Sequence, residues 1–337
     1  MKIFKKEKLG NGRRHIYFCG IKILSYKHKN HTYVVHNTEV PLRYISEDRL
    51  PQWLWDNFYK RTGKIPTDDI EFLNEKIIWA AMFDVTPLKI QCADKYAVRD
   101  YVKKAIGEKY LPKIYAVYNN SSDFDINKLP KQFVLTFNAG SGQNLIVADK
   151  NTLNIDDTRK LIKQWMLYNH SELLGEMQYR YIKPLVIARE LVDIREEVEY
   201  KLWCFGGKVE FIQVVSYLHG HDHIHHCHFD RNWNLLPFYR CDKTFVPEYE
   251  KFEKPKFLDE LIKVAEKLAK PFDFVRVDFY ETKSGKLVFG ELTFSPTAGT
   301  IEFSPNNEEM QKYFGKKFKL PKRDANGFAI HPKKISK

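Results

Sequence analysis

The sequence predicts an α+β fold, in which long strands pair as antiparallel hairpins and helices lie between them. The chain has 337 residues, of which 43% are apolar and 15% aromatic, so it can bury a large core. Several strand-like segments meet across short Gly-containing turns, such as Gly206-Gly207. No repeated strand–helix–strand rhythm, which a parallel sheet requires, runs through the chain.

Individual elements follow from apolar spacing and from turn residues. The clearest helix covers residues 93–110, with Asp94 as its N-cap and Gly107 as its stop. Other helices are expected in segments 53–63, 69–83, 158–170 and 257–270. Strands are expected at 131–137, 144–149, 184–192, 199–205, 208–218, 272–280 and 286–294, with a short hairpin at 14–27.

The positive charge lies at the two ends of the sequence. The net charge is +12, and segments 1–30 and 312–337 carry +8 each, which leaves −4 between them. Basic ends suit an anionic surface such as phospholipid, a lipid-linked phosphate or nucleic acid, or they simply keep the chain in solution. The acidic middle argues against a nucleic-acid enzyme. We therefore expect no nucleic-acid partner and, at most, peripheral contact with an anionic membrane.

Cysteine usage and hydropathy indicate a cytoplasmic protein. The cysteines are odd in number, scattered and without a CxxC pair, so neither a disulfide framework nor a zinc ribbon is predicted. No segment approaches the roughly 20 apolar residues of a spanning helix, and no signal peptide is recognisable at the start. The five cysteines are Cys19, Cys92, Cys204, Cys227 and Cys241.

Residues 272–294 form a predicted hairpin that brings two acids together. A two-residue turn at 284–285 sets a register in which Asp278 faces Glu291 and Arg276 faces Thr293. One face is then apolar, and the other presents two carboxylates whose β-carbons are about 5 Å apart. Such a pair needs a cation, and Mg²⁺ with oxygen ligands is the ready answer. The alternative is that Arg276 bridges both acids.

A glycine-rich turn between two strands is a second candidate site. Gly140, Ser141 and Gly142 permit close backbone approach, so their amides could face phosphate oxygens, although a plain hairpin turn has the same composition. Lys95 and Lys201 could add positive charge, although a lone lysine usually lies on the surface.

The order of these motifs resembles the ATP-grasp superfamily. The segments DKYAVRDYV, KQFVL with GSG, VIAREL, EYKLWCFGGKVEFIQV, RVDFY and FGELTFSP are similar, between about residues 70 and 305, to the TupA-like ATP-grasp proteins of bacterial polysaccharide loci. The resemblance implies two α+β subdomains that clamp ATP and Mg²⁺. It also implies an ADP-forming ligase that joins a sugar carboxylate to an amine through an acyl phosphate, in capsule or lipopolysaccharide biosynthesis.

The resemblance also implies a division of the chain into five parts. We expect a basic extension at 1–70, an N-terminal part of the core at 71–93 and a lid subdomain at 94–190. A core subdomain with the metal site follows at 191–320, and a basic tail at 321–337.

Residue roles follow from the same resemblance. Asp278 and Glu291 match the metal-binding acids, Thr293 stands where the superfamily usually has Asn, and Arg276 matches the residue that steadies the acyl phosphate. The implied nucleotide-binding positions are Lys95, Gly140, Ser141, Gly142, Glu190 and Lys201.

Two departures from the family pattern concern the lid. Thr136 stands where the lid strand usually carries a lysine, and Ala139 replaces a histidine before the glycine turn. These differences put one phosphate contact in question.

A histidine-rich run, HGHDHIHHCHFD, is the last candidate. Alternation along a strand places His219, His221, His223 and His225 on one face, with His226 and His228 on the other. We expect His221, His223 and His225 to border the acceptor site. The alternatives are a zinc or nickel site and a solvated loop.

Two other functions remain open from the sequence. An ATP-dependent sugar phosphotransferase would use the same nucleotide site with a different acceptor. A glycosyltransferase or accessory protein of the same pathway would need a DxD-type metal site, which the sequence does not offer convincingly.

Overall fold

The computed structural model describes residues 4–8, 13–18, 21–27, 50–67, 69–216, 224–241, 245–247, 252–323 and 329–330. The chain divides into two compact units, residues 1–65 and 66–337.

The first unit contains a three-stranded antiparallel sheet and one helix. The strands are β1 (Phe4–Lys8), β2 (Arg13–Phe18) and β3 (Ile21–Lys27), and helix α1 spans Leu50–Thr62. The predicted hairpin corresponds to β2 and β3, which pair antiparallel; β1, which pairs with β2, was not anticipated. The helix ends where predicted, and the Gly63 amide donates to the Tyr59 carbonyl over 2.8 Å.

Helices of the second unit carry clear capping signals. Asp94 lies between α3 and α4, and its carboxylate accepts hydrogen bonds from the amides of Tyr96 and Ala97. The predicted helix over 93–110 is shorter in the structure, because α4 begins at Val98 and its N-cap is Ala97. In the first turn of α2, the Glu75 carboxylate accepts hydrogen bonds from the amides of Thr67 and Phe72, which precede the helix. The helices are α2 (Leu73–Phe83), α3 (Pro87–Ala93), α4 (Val98–Ala105), α5 (Ile155–Met166), α6 (His170–Leu174), α7 (Leu258–Ala269) and α8 (Asn307–Lys317).

A four-stranded antiparallel sheet occupies the middle of the sequence. Its order is β4-β7-β5-β6, and every strand pair in it is antiparallel. Thr136 lies opposite both Asn144 and Ile187, and Arg189 lies opposite Ile114. Because paired residues, and residues two apart on a strand, share a face, these five side chains lie on one face of the sheet. The strands are β4 (Ile114–Tyr118), β5 (Phe133–Phe137), β6 (Asn144–Val147) and β7 (Val186–Arg189).

A six-stranded sheet forms the second layer. Its order is β12-β10-β9-β8-β13-β14, antiparallel except for the pair β10–β12. One face is mainly apolar, with Leu202, Val214 and Val277 at zero exposure, and it packs on α7. The strands are β8 (Ile194–Phe205), β9 (Lys208–Ser216), β10 (Ile224–Phe229), β12 (Phe245–Pro247), β13 (Phe274–Thr282) and β14 (Leu287–Thr293).

Two short strand pairs complete the described secondary structure. They are β11 (Tyr239–Arg240) with β15 (Phe303–Ser304), and β16 (Lys322–Arg323) with β17 (Ala329–Ile330). Within the described ranges, no helix is both long and apolar enough to cross a bilayer.

The β13–β14 turn differs from the predicted one. The predicted two-residue turn is wrong: Thr282 and Lys286 close a three-residue loop in which Gly285 takes a φ of +78°, which suits glycine. Near the loop, Tyr280 consequently lies opposite Val288, one residue away from the expected register.

A bulge in β14 absorbs this difference. Between the pairs Phe279–Phe289 and Val277–Leu292, β14 contains one residue more than β13. Beyond the bulge, Arg276 lies opposite Thr293, as predicted. The predicted face is therefore correct for the acids although the predicted turn is not.

Candidate functional site

A cavity of about 400 Å³ lies between the two sheets. The four-stranded sheet contributes Thr136 and Arg189, and the six-stranded sheet contributes Glu199, Tyr280 and Glu291. The volume lies within the range typical of small-molecule sites, roughly 300–1,000 Å³. Further lining comes from a mainly apolar set: Val98, Leu111, Pro112, Ile114, Ile187, Val192, Ile194, Val288 and Phe289.

The polar residues beside the cavity share one face of the six-stranded sheet. Lys201 on β8 lies directly opposite Asp278 on β13, and Arg276 lies opposite Thr293 on β14. Side chains two apart on a strand point to the same face. Strand alternation therefore places these four residues together behind Glu291.

Arg276 connects the two predicted metal-binding acids. Its Nε donates to Asp278 Oδ1 over 2.7 Å, and its Nη2 donates to Asp278 Oδ2 over 2.5 Å. The same Nη2 lies 3.1 Å from Glu291 Oε1 and 3.0 Å from Thr293 Oγ1. The arrangement is the bridged one that the sequence left as an alternative, and it is buried, since Asp278 has no exposed surface.

Two lysines complete the charge balance of this network. Lys201 Nζ lies 2.5 Å from Glu199 Oε2 and 3.1 Å from Asp278 Oδ2. Lys95 Nζ lies 3.9 Å from Glu291 Oε2. Three carboxylates thus face three cations, which explains how so many charges can be buried together.

The electrostatics keep Glu291 ionised. Burial alone would raise the pKa of Glu291, but Lys95, Arg276 and Lys201 lower it to about 2. Burial alone would lower the pKa of Arg276, but the adjacent carboxylates of Asp278 and Glu291 raise it. Burial raises the pKa of the Tyr280 phenol, and neighbouring Glu199 adds to this effect. At neutral pH, Glu291 therefore presents a carboxylate, and Tyr280 a neutral hydroxyl, to the cavity.

The glycine-rich turn and Lys95 meet at the Glu291 end of the cavity. Lys95 Nζ donates to the Gly140 carbonyl, and Ser141 and Gly142 line the cavity. Ser141 and Gly142 are also exposed, so their backbone is accessible to a ligand. Cations and loop amides in one place can bind phosphate oxygens.

A Mg²⁺ ion fits this donor set through Glu291. In the described part of the chain, no three His, Cys, Asp or Glu side chains come together as a metal cage. Mg²⁺ in nucleotide sites is typically held by one or two carboxylates, waters and substrate phosphates, so a cage is not required. Glu291 is ionised and lines the cavity. Asp278 lies beside it, but both of its oxygens are bonded to Arg276 or Lys201.

Other residues proposed from the sequence lie away from the cavity. Glu190 is exposed, and its carboxylate accepts from the Lys113 amide over 3.0 Å, so its neighbour Arg189 faces the cavity instead. His225 lies on β10 opposite Ser216 and is not among the lining residues. His221 and His223 lie outside the described residues.

The lining residues that the sequence reasoning missed include Tyr280, Glu199 and Arg189. Tyr280 could have been found by alternation, because it lies two residues after Asp278 on the same strand. Glu199 was noted only as the first residue of the EYK motif. Arg189 gave no signal, because the sequence does not say which face of β7 meets the other sheet.

The family comparison agrees with this geometry. The family described as TupA-like ATP-grasp matches residues 75–319, which is most of the chain. The chain belongs to the TupA-like ATP-grasp family. This membership confirms the fold class predicted from the sequence, and ATP and Mg²⁺ are the cofactors of ATP-grasp enzymes.

Comparison with solved structures yields only distant likenesses. ATP-grasp ligase PsnB in complex with a minimal precursor is 11% identical, with a TM-score of 0.33, over 63% of this chain and 54% of that one. The D-alanine–D-alanine ligase of Bacillus anthracis in complex with ATP is 18% identical, with a TM-score of 0.35, over 60% and 55%. Biotin carboxylase of Campylobacter jejuni is 13% identical, with a TM-score of 0.36, over 68% and 47%.

These structures carry no functional argument at such TM-scores. The chain spans about half the length of the solved structures that it matches. No curated protein matches the sequence.

Proposed function

We propose that this protein is an ATP- and Mg²⁺-dependent ligase that joins a carboxylate to an amine and releases ADP and phosphate. The observation that carries the proposal is the convergence of Lys95, the Gly140–Gly142 turn and Glu291 at one end of a 400 Å³ cavity between two sheets. Membership of the ATP-grasp family supports the same nucleotide and the same class of reaction.

The cavity walls suit a nucleotide in two parts. Aliphatic side chains such as Val98, Ile187 and Val288 offer an apolar slot for a purine ring. Lys95 and the turn amides would hold phosphate oxygens, and Glu291 would hold the Mg²⁺ that accompanies them. When bound, this metal would neutralise charge on the transferred phosphoryl group.

The buried network would keep this phosphate end in place. Arg276 donates hydrogen bonds to both Asp278 and Glu291, and it would add positive charge beside the transferred phosphoryl group. Lys201 fixes Asp278 from the other side. Catalysis by positioning and electrostatics needs no protein nucleophile, which is consistent with an acyl-phosphate route.

The finer substrate proposal is a sugar or uronic-acid carboxylate in capsule or lipopolysaccharide assembly. Its support is the family to which the chain belongs. His221, His223 and His225 are retained as proposed contacts to this acceptor.

A substrate screen tests the proposed reaction. Purified protein is incubated with ATP, Mg²⁺ and pairs of carboxylates and amines, while ADP and phosphate are measured and adducts are detected by mass. Release of ADP that requires both substrates, together with an amide adduct, supports the ligase. Release with a sugar alone, with a phosphorylated product, would identify a phosphotransferase instead.

Two lysines near α4 provide a matched pair of variants. Lys95→Met removes the cation at the phosphate end and should lower turnover by about tenfold to a hundredfold. Lys103→Met removes an exposed lysine that pairs with Glu108 over 2.8 Å outside the cavity, and it should leave turnover unchanged. Equal activity of both variants would contradict the phosphate role of Lys95.

We also propose that the basic ends allow peripheral contact with an anionic inner-leaflet membrane. The support is the charge of +8 in each of segments 1–30 and 312–337. Liposome co-sedimentation should show binding that needs anionic lipid and weakens with salt. Equal pelleting with neutral lipid would contradict it.

A further inference from the structure

Arg189 is a cation in the nucleotide cavity that no part of the proposed reaction uses. It lies at the end of β7, half-buried, and lines the cavity together with Thr136. Its guanidinium donates from Nε to Thr136 Oγ1 over 3.2 Å and from Nη1 to the Glu190 carbonyl over 3.3 Å. Both contacts are to neutral oxygens.

The charge of Arg189 has no protein counterion in the described part of the chain. Its hydrogen bonds there reach no carboxylate, and the adjacent Glu190 carboxylate is bonded to the Lys113 amide. Burial lowers the pKa of Arg189, which shows that its environment costs the charged form. The other buried cations of the site, Arg276 and Lys201, are each paired with carboxylates. Arg189 is therefore a half-buried cation that a bound anion would stabilise.

The position of Arg189 favours phosphate as that anion. The residue lies on β7 of the four-stranded sheet, and its neighbour Thr136 is the residue that stands where the family resemblance implies a lysine. A guanidinium offers a planar fork of donors that matches two phosphate oxygens. Ser141 and Gly142, with amides suited to phosphate, line the same cavity.

We propose that Arg189 binds a phosphate group of the nucleotide from the four-stranded sheet and supplies the positive charge that Thr136 lacks. This inference rests on the proposed nucleotide site and assigns a further binding residue within it. The phosphate would then bind between Arg189 and Lys95, which lies at the Gly140–Gly142 turn.

Calorimetric titration with adenosine, AMP, ADP and a non-hydrolysable ATP analogue tests the assignment. Arg189→Met should weaken the phosphate-bearing ligands by about tenfold to a hundredfold, because a charge-assisted hydrogen bond is lost. It should leave adenosine within about threefold of wild type. Arg189→Lys, which keeps the charge, should recover most of the affinity. If Arg189→Met does not fold by circular dichroism, Arg189→Gln gives the same comparison, since glutamine can still donate to Thr136.

Second-site rescue makes the test specific to charge at this place. Thr136→Lys in the Arg189→Met background puts a cation on the neighbouring strand, and it should restore binding of the ATP analogue to within about tenfold of wild type. The matched control is Arg159→Met, which removes an exposed arginine of α5 outside the cavity and should change no affinity.

The outcomes separate this inference from the proposed function. If wild type binds the ATP analogue but Arg189→Met binds it equally well, or loses adenosine to the same extent, the assignment of Arg189 is wrong while the nucleotide site stands. If wild type binds none of the four ligands, the nucleotide site itself is overturned, and the assignment falls with it.

Discussion

Asp278→Asn is the substitution that most directly probes the buried charge network. The change keeps the size of the side chain and removes its negative charge. In the native protein, Asp278 accepts two hydrogen bonds from Arg276, at 2.7 and 2.5 Å, and one from Lys201 at 3.1 Å, and it has no exposed surface. The variant leaves two buried cations without their shared partner.

The expected loss of unfolding free energy is about 3 kcal/mol. Removal of one partner from a buried ion pair typically costs about 3–5 kcal/mol, because the remaining charge stays desolvated. The lower end applies here, since Arg276 still contacts Glu291 and Lys201 still contacts Glu199. Against a typical total of about 5–15 kcal/mol, such a loss is large.

Urea denaturation followed by circular dichroism measures this loss, with Asp157→Asn as the matched control. Asp157 forms an exposed ion pair with Lys160 at 2.9 Å, and its substitution should cost less than about 1 kcal/mol. Lys201→Met should also cost less in the Asp278→Asn background than in wild type, because its partner is already gone. A loss below about 1 kcal/mol for Asp278→Asn, or fully additive effects in the double variant, would refute the network as described.

Two further predictions concern backbone packing and pH. Gly290→Ala should lower stability by about 1–3 kcal/mol, because its β-carbon would lie 2.9 Å from the Tyr280 ring and 3.1 Å from the Asp278 carbonyl; unchanged urea unfolding would contradict this. Burial, aided by His226, lowers the pKa of His228 to about 3. The free energy of unfolding of wild type should therefore fall by about 2 kcal/mol through this group between pH 7 and pH 5, because the unfolded chain binds a proton here and the native state does not. His228→Gln should lose correspondingly less stability between the same two pH values, and an equal loss in both proteins would contradict this role of His228.

Strand periodicity was sufficient to predict which residues share the active face. Arg276 and Asp278 occupy alternate positions on β13, and Thr293 lies opposite Arg276 on β14, so a register with the apolar face buried puts them on the same face. The loop length was not predictable, because residues 283–285 are compatible with a two- or a three-residue turn. The β14 bulge depends on that choice and therefore also escaped prediction.

Charge pairing was harder to foresee than proximity. The sequence indicated that Asp278 and Glu291 need a cation, and a metal was the natural inference. The fold supplies three protein cations from distant segments, Lys95, Lys201 and Arg276. The sequence also could not show whether Arg189 or Glu190 lines the cavity. The two residues are adjacent, so the packing of the two sheets decides which of them faces it.

The central claim is that ATP binds in the cavity between the two sheets, and calorimetry with a wall variant tests it most directly. Wild type is titrated with a non-hydrolysable ATP analogue and Mg²⁺, in parallel with Val288→Trp, which fills the cavity, and Leu167→Trp, which adds the same indole at an exposed position outside it. We predict that wild type and Leu167→Trp bind the analogue, that omission of Mg²⁺ weakens binding, and that Val288→Trp loses it while remaining folded. Absence of binding to wild type at millimolar nucleotide, or full binding to Val288→Trp, would contradict the account.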